Sequence, residues 1–329
     1  MDVELVRNLT GAKLNVWKDF LTKAGLEPDM QIQRTALIWD DGQLIASASR
    51  QDNLLKCIAV DDAHQGEGLT ATLLTHLRQD AFQAGHSHLF LYTKPKNEAM
   101  FSSLFFYPVA QTDNVLLMEN KKDGIQAFLN TLPAGSHSGI IGAAVMNCNP
   151  FTNGHRYLIE TAAAQCDHVY IFVLSEDKSY FSARDRLAMV QLGTAHLSNV
   201  TVLPTGPYLI SSATFPTYFL ADRESAETAH CLLDIEIFCK HFVPRLGITR
   251  RYVGTEPLSP LTEQYNQALC KHLPQNGIEL RQIPRLETSG TPVSASAVRE
   301  CLAQGDVDTL RTLVPETTFD YLQEHCLRD

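Results

Sequence analysis

The 329-residue chain carries a formal charge of −10, with 44% hydrophobic and 19% charged residues. That supplies apolar material for packed cores and too little charge for a disordered chain, and the length suits about two domains. The acidic balance, with no basic run longer than Lys121-Lys122 or Arg250-Arg251, argues against nucleic-acid binding. The start Met1-Asp2-Val3-Glu4 lacks a signal peptide's basic and apolar regions, and no apolar run is long enough to span a bilayer. A cytoplasmic location is therefore expected. The eight cysteines form no CxxC pair, so neither a zinc site nor a disulfide framework is expected, and no side-chain metal site is assigned.

In chain order, Gly11–Ala24 reads as a helix. Thr35–Trp39 and Gln43–Ser47 flank Asp40-Asp41-Gly42, a hairpin signal, and a third strand follows at Leu54–Val60. Leu73, Leu74, Leu77 and Phe82 recur at helical spacing within Thr70–Ala84. Strand His88–Thr93, helix Glu98–Phe106 and strand Val115–Glu119 complete an α+β domain with a largely antiparallel sheet, residues 1–121. Polar and small residues mark a linker over 122–138, with a short helix at Ile125–Leu132.

Residues 139–329 alternate differently. Ile140–Asn147 is a continuous apolar strand, as expected where both faces are covered. Helix His155–Cys166, strand His168–Ser175, helix Ala183–His196 and strand Val200–Pro204 follow. This order predicts right-handed crossovers and a parallel, doubly wound, Rossmann-like α/β sheet, whose ligands bind beyond the carboxyl ends of the strands.

The stretch Asn149-Pro150-Phe151-Thr152-Asn153-Gly154-His155 lies at that end of the first strand. Pro150 stops the strand, Gly154 lets a phosphate approach the backbone, and His155 opens the helix, whose N-terminus suits an anion. His155 offers a hydrogen bond or a proton-borne charge to a phosphoryl oxygen, and Thr152 a hydroxyl on the same side. A second element, Thr291–Arg299, places Ser294 and Ser296 as candidate caps of another helix, with Arg299 about one turn on to clamp a departing pyrophosphate.

Thr-x-Gly-His near the start of a Rossmann-like domain, with a late Ser-x-Ser-x-x-Arg, resembles the nucleotidyltransferase superfamily of the phosphopantetheine adenylyltransferase type. That motif often has His where Thr152 stands. The wording of Asn147–Leu158, Val173–Ser179, Phe181–Leu187, Ile210–Pro216, Tyr252–Pro257 and Gln264–Gln267 is closer still to the citrate lyase ligases. The resemblance spans essentially the whole chain and implies a ligase that uses ATP, accompanied by Mg²⁺, and acetate. An acetyl-adenylate would form, and the acetyl group would end on the thiol of the CoA-like prosthetic group of the citrate lyase acyl-carrier subunit, with AMP and pyrophosphate released. It assigns catalysis to His155, Thr152 and Arg299. Phosphate and ATP binding fall to Asn149, Pro150, Phe151, Gly154, Gly254, Thr255, Glu256, Ser294 and Ser296. Lys178, Arg186, Ser211 and Ser212 are substrate candidates. The phosphate motif reports on the nucleotide and not on the nucleophile, so adenylyl transfer to a phosphopantetheine- or nucleotide-type acceptor is the alternative.

In the first domain, His64-Gln65-Gly66-Glu67-Gly68 between strand and helix resembles the acyl-CoA loop of GNAT acetyltransferases, with Gln65, Gly66 and Gly68 as candidates. Ala63 holds the position where that pattern has Gln or Arg. No catalytic base for acetyl transfer is legible, so the domain is expected to recognise the partner's CoA-like arm or a cofactor rather than to acetylate amines.

Overall fold

The computed structural model describes residues 2–135, 137–211, 215–220, 223–255, 260–288 and 291–325. The chain forms two compact units, Met1–Ala127 with Phe215–Leu233, and Phe128–Thr214 with Asp234–Asp329. The reading from sequence kept 215–233 within the second domain, whereas the structure groups it with the first.

The N-terminal unit contains β1 (Val3–Arg7), α1 (Gly11–Lys23), β2 (Arg34–Asp40), β3 (Gln43–Gln51), β4 (Leu54–Val60), α2 (Leu69–Gln83), β5 (Phe90–Thr93), α3 (Glu98–Ser103), β6 (Tyr107–Gln111) and β7 (Leu116–Glu119). The sheet runs β1-β2-β3-β4-β5-β7-β6 and is antiparallel except between β4 and β5. The β2–β3 hairpin turns at Asp41 and Gly42, both at positive φ, as a two-residue turn matched to strand twist requires. Leu73, Leu74, Leu77 and Ala81 bury the inner face of α2 against Ala36, Ile38, Ala46 and Leu91 of the sheet. Phe82, expected on that face, is exposed. The sequence missed both edge strands. In β6, Pro108 cannot donate to a ladder, which an edge tolerates and a strand pattern hides; in β1, Glu4 and Arg7 dilute the apolar signal.

Helix α4 (Gly124–Thr131) follows, and then the second unit's sheet: β8 (Ile141–Met146), β9 (His168–Val173), β10 (Val200–Pro204), β11 (Arg250–Gly254) and β12 (Glu279–Ile283). Between them lie α5 (Asn153–Ala163), α6 (Ala183–Thr194), α7 (Arg223–Ile237), α8 (Val243–Leu246) and α9 (Pro260–His272), and after them β13 (Glu287–Thr288), β14 (Thr291–Pro292), α10 (Ala295–Gln304), α11 (Val307–Leu313) and α12 (Glu316–His325). The five strands are parallel in the order β10-β9-β8-β11-β12. β9 is buried along its whole length, as a strand covered on both faces must be. The chain builds outward from β8 on one side, then returns to pair β11 on the other. The carboxyl ends of β8 and β11 are therefore the switch point where such sheets bind ligands. Among the described residues no helix is long and apolar enough to cross a membrane.

Phe151, 0% exposed, fixes the loop after β8 by packing against Gly193 of α6. A Cβ at Gly193 would sit inside the Phe151 ring's contact envelope. Gly193→Ala is therefore expected to destabilise the fold, by roughly 1–3 kcal/mol for an overpacked core, despite alanine's better helix propensity. Urea unfolding checks this: an unchanged or raised midpoint would contradict the tight Phe151–Gly193 contact.

Candidate functional site

Helix α5 starts two residues earlier than the sequence suggests, at Asn153, which makes Thr152 its N-cap and His155 its third residue. The two side chains cap each other's backbone. His155 N–H donates to Thr152 Oγ1 at 3.3 Å, and Thr152 N–H donates to His155 Nδ1 at 3.0 Å. Oγ1 also lies 2.9 Å from Nδ1. Nδ1 must accept, so the ring proton sits on Nε2. Burial, and then the nearby Arg285 charge, pull the imidazole down to about 4. His155 is thus a neutral hydrogen-bond donor near pH 7, the first of the two roles expected for it rather than the proton-borne charge. The Thr152 hydroxyl is spent on holding His155 rather than facing a ligand.

The first-turn N–H groups of Asn153 and Gly154 are among those a helix leaves unpaired. A Cβ on Gly154 would meet nothing nearer than Thr152 Oγ1 and the Val293 carbonyl, both at 3.5 Å, and its φ is not positive. Glycine costs a helix about 1 kcal/mol relative to alanine, so nothing inside the fold demands it there. The same holds for Gly254 at the end of β11, where a Cβ would touch only Leu158, at 3.7 Å. Both glycines leave room at the switch point.

The Val293 contact brings a second helix N-terminus alongside. Ser294 caps α10 by accepting from Ala297 N–H at 3.1 Å. Ser296 lies within α10 and instead accepts from Arg299 at 3.0 Å. Arg299 reaches back to the Asn149 carbonyl at 2.5 Å, joining the two motifs across 150 positions. Asn149 Oδ1 accepts from Phe181 N–H at 3.0 Å, and the Asn149–Pro150 peptide is cis. Phe151 stacks on His155, ring centroids 6.0 Å apart, and so backs the imidazole rather than touching phosphate. Arg285, just past β12, donates to the Thr255 carbonyl at 3.2 Å, and its N–H donates to Thr255 Oγ1 at 3.3 Å. Arg285 is not legible in the sequence, because Glu279, Arg281 and Gln282 make Glu279–Ile283 too polar for the apolar run expected of a parallel strand.

The remaining candidates divide. Lys178, in the loop after β9, is exposed on the rim of the carboxyl ends. Arg186, expected near substrate, is turned fully inward at 0% exposure. Its guanidinium donates to the Asn147 carbonyl at 2.9 Å, Asn147 Oδ1 at 2.7 Å, Phe181 O at 3.2 Å and Glu176 O. It ties the ends of β8 and β9 to α6 and is a positioning residue. Ser211 is likewise engaged, donating from N and Oγ to the Glu176 carboxylate at 2.6 and 2.8 Å. Ser212 and Glu256 lie outside the described residues. Cys148, buried within the loop after β8, has its thiol pushed up by burial.

In the N-terminal unit, Gly66 and Gly68 both take positive φ, and Gly68 is the left-handed N-cap of α2. Gln65 donates to Asp62 at 2.7 Å. The loop lines a cavity of about 1120 Å³ that runs along Ile58–Val60 and also meets Lys94, Lys96, Tyr218 and Phe219.

Residues 141–322 match the family model for the citrate lyase ligase C-terminal domain, and residues 14–102 match the acetyltransferase (GNAT) family. The chain belongs to the citrate lyase ligase family. It is 44% identical over 288 residues to the [citrate [pro-3S]-lyase] ligase of Klebsiella pneumoniae, covering 86% of this chain and 84% of the relative. It is 39% identical to the ligase of that name from Escherichia coli K12, covering 98% and 95%, and 38% identical to that of Haemophilus influenzae Rd, covering 95% and 96%. The family is one of enzymes, and the fold expected from sequence, a Rossmann-like sheet preceded by a GNAT-like domain, is the one observed.

The lowered pKa of His155 has a thermodynamic consequence. The unfolded state takes up the proton at the ordinary histidine value of 6.5, the folded state only near 4. The stability this residue contributes is complete above pH 6.5 and is lost as pH falls from 6.5 to 4. The stability difference between the parent and His155→Gln should therefore shrink across that window, and imidazole ¹⁵N shifts should show His155 neutral at pH 6. A His155 titration near 6.5 would contradict the neutral, Nε2-protonated assignment.

Proposed function

We propose that the site at Thr152–His155 activates acetate with ATP and that the chain is the ATP-dependent ligase that acetylates citrate lyase. An acetate oxygen attacks the α-phosphorus, and pyrophosphate leaves with the electron pair of the broken bond. The thiolate of the CoA-like prosthetic group on the acyl-carrier subunit then attacks the acetyl carbonyl, and AMP leaves. The observation that carries this reading is the convergence of a neutral His155 donor, two capped helix N-termini, Arg285 and Arg299 around space kept open by Gly154 and Gly254. Such a site is built for several phosphates at once. The ligase name carried by the curated relatives supports citrate lyase as the protein acted upon.

In this reading His155 donates from Nε2 to the phosphoryl oxygen on which charge develops and stays neutral in doing so. Arg299 follows the departing pyrophosphate while it holds Asn149 in place. Gly254 and Thr255 floor the adenosine, and Lys178 meets the acetate carboxylate or a phosphate. Among the described residues no group of three or more His, Cys, Asp or Glu side chains could hold a metal ion. Mg²⁺ would accompany the nucleotide and neutralise phosphate charge, as it commonly does with phosphate substrates. The cavity beside Gly66 and Gly68 receives the CoA-like arm.

Pyrophosphate release from ATP and Mg²⁺ should require acetate, and adding the thiol form of citrate lyase should restore lyase activity. Turnover with a phosphopantetheine or nucleotide acceptor in place of acetate would keep the site and change the reaction. His155→Ala should lower the adenylylation rate by roughly 10²–10³, the usual cost of a key stabilising donor, with ATP binding largely kept. Arg299→Ala should raise the KM for ATP; an unchanged KM and rate would remove its assigned role.

A further inference from the structure

β4 and β5 are parallel neighbours, yet they pair only at Leu54–Phe90 and Leu55–Leu91. Beyond that point the left-handed backbone at Cys57, φ +53°, turns β4 aside, while β5 stays laddered to β7 through Tyr92 and Thr93. A wedge opens between the strands, and Tyr218 stands in it. Its hydroxyl donates to the Tyr92 carbonyl at 3.3 Å, and the phenol lies close to Cys57. Burial raises this phenol well above its ordinary pKa, so it stays protonated and able to donate. The Tyr218 carbonyl accepts from Glu27 N–H at 2.8 Å, which anchors its backbone. Phe219 packs edge-on against Tyr218 at 5.2 Å, and Phe215 edge-on against Tyr92 at 5.4 Å. Tyr218 is 5% exposed. A short stretch from far along the sequence thus bridges the two strands where their own ladder ends.

The same residue lines the large cavity. From the glycine loop the cavity follows β4 backward through Val60, Ala59 and Ile58, and the next residue is Cys57, where Tyr218 sits. The two glycines at positive φ and the start of α2 suit a diphosphate at one end. An extended chain running from there along β4 would use strand-like hydrogen bonding until it met the phenol.

We propose that Tyr218 is a fixed stop in this cavity. It lets a diphosphate-bearing pantetheine arm lie along β4 only as far as Ile58 and leaves the arm's terminal thiol short of the gap between Cys57 and Tyr92. This rests on the reading that the cavity takes the CoA-like arm, and it adds that the depth of binding is set by a residue outside the GNAT-like sequence match, residues 14–102.

Hydrogen exchange of the full chain, with and without saturating dephospho-coenzyme A, tests both. Slower exchange over 61–69, with 215–220 and the Cys57 amide unchanged, is the expected result. Faster exchange over 215–220 together with slower exchange at Cys57 would mean that the ligand displaces Tyr218; the cavity reading would stand and the stop would fall. No change anywhere, with no heat of binding, would remove the cavity reading and the stop with it. The variant Tyr218→Ala removes the phenol from the wedge. It should bind dephospho-coenzyme A about tenfold more tightly, the worth of roughly one added hydrogen bond, and bind ADP as the parent does. An equal effect on both probes, or none, would overturn the stop, and if this variant does not fold, exchange on the parent chain decides.

Discussion

The reciprocal cap between Thr152 and His155 is the interaction on which the second unit's site depends. One side chain satisfies the other's backbone at the start of α5, and in doing so each loses a freedom. Thr152 can no longer turn its hydroxyl elsewhere, and His155 can no longer choose its tautomer. Burial and the Arg285 charge then keep the ring neutral. A donor at Nε2 therefore follows from a helix cap, with no separate device to orient it. Phe151 stacks behind the ring, and Gly193 gives Phe151 its place.

Around this pair the loop after β8 is held from three directions. Arg186 anchors Asn147 from beneath, Arg299 takes the Asn149 carbonyl from α10, and the Phe181 N–H fixes the Asn149 side chain. A buried guanidinium satisfied by four acceptors resists any change that removes one of them, because the charge left behind would be unpaired. Rigidity of this kind suits chemistry whose demands are positional. Gly154 and Gly254 mark where the protein has withheld atoms.

The N-terminal unit solves a different problem. A parallel pair of strands that separates after two residue pairs leaves a wedge that must be filled or hydrated. Here a tyrosine from a later part of the sequence fills it, with its hydroxyl bonded to the Tyr92 carbonyl. That arrangement stabilises the sheet and shortens the space available along β4. One residue thus carries a packing role and a limit on what the cavity can hold.

The strand–turn–helix motif at Asn149–His155 and the strands β8, β9 and β10 beside it were legible in the sequence because all are local. Asn147–His155 sits on one strand–turn–helix unit, and the apolar runs of β8, β9 and β10 need no partner to be recognised. The Asp41-Gly42 hairpin and the helical stripe of Leu73, Leu74 and Leu77 are local in the same sense. What each side chain does was not legible. Arg186 and Lys178 both looked like charged residues near a substrate, and only packing turned one inward and left the other on the rim. Arg285 depended on a polar-looking strand that becomes a strand by pairing with β11. Tyr218 depended on a contact with residues more than a hundred positions upstream. Sequence by itself determined the elements with a clear local pattern, such as β8, β9 and α2, and the strand–turn–helix unit at Asn147–His155, since these follow from periodicity and turn chemistry within a few residues. Tertiary structure alone decided which polar groups are spent on the fold and which remain for a ligand, because that division is settled by burial and by partners distant in the chain.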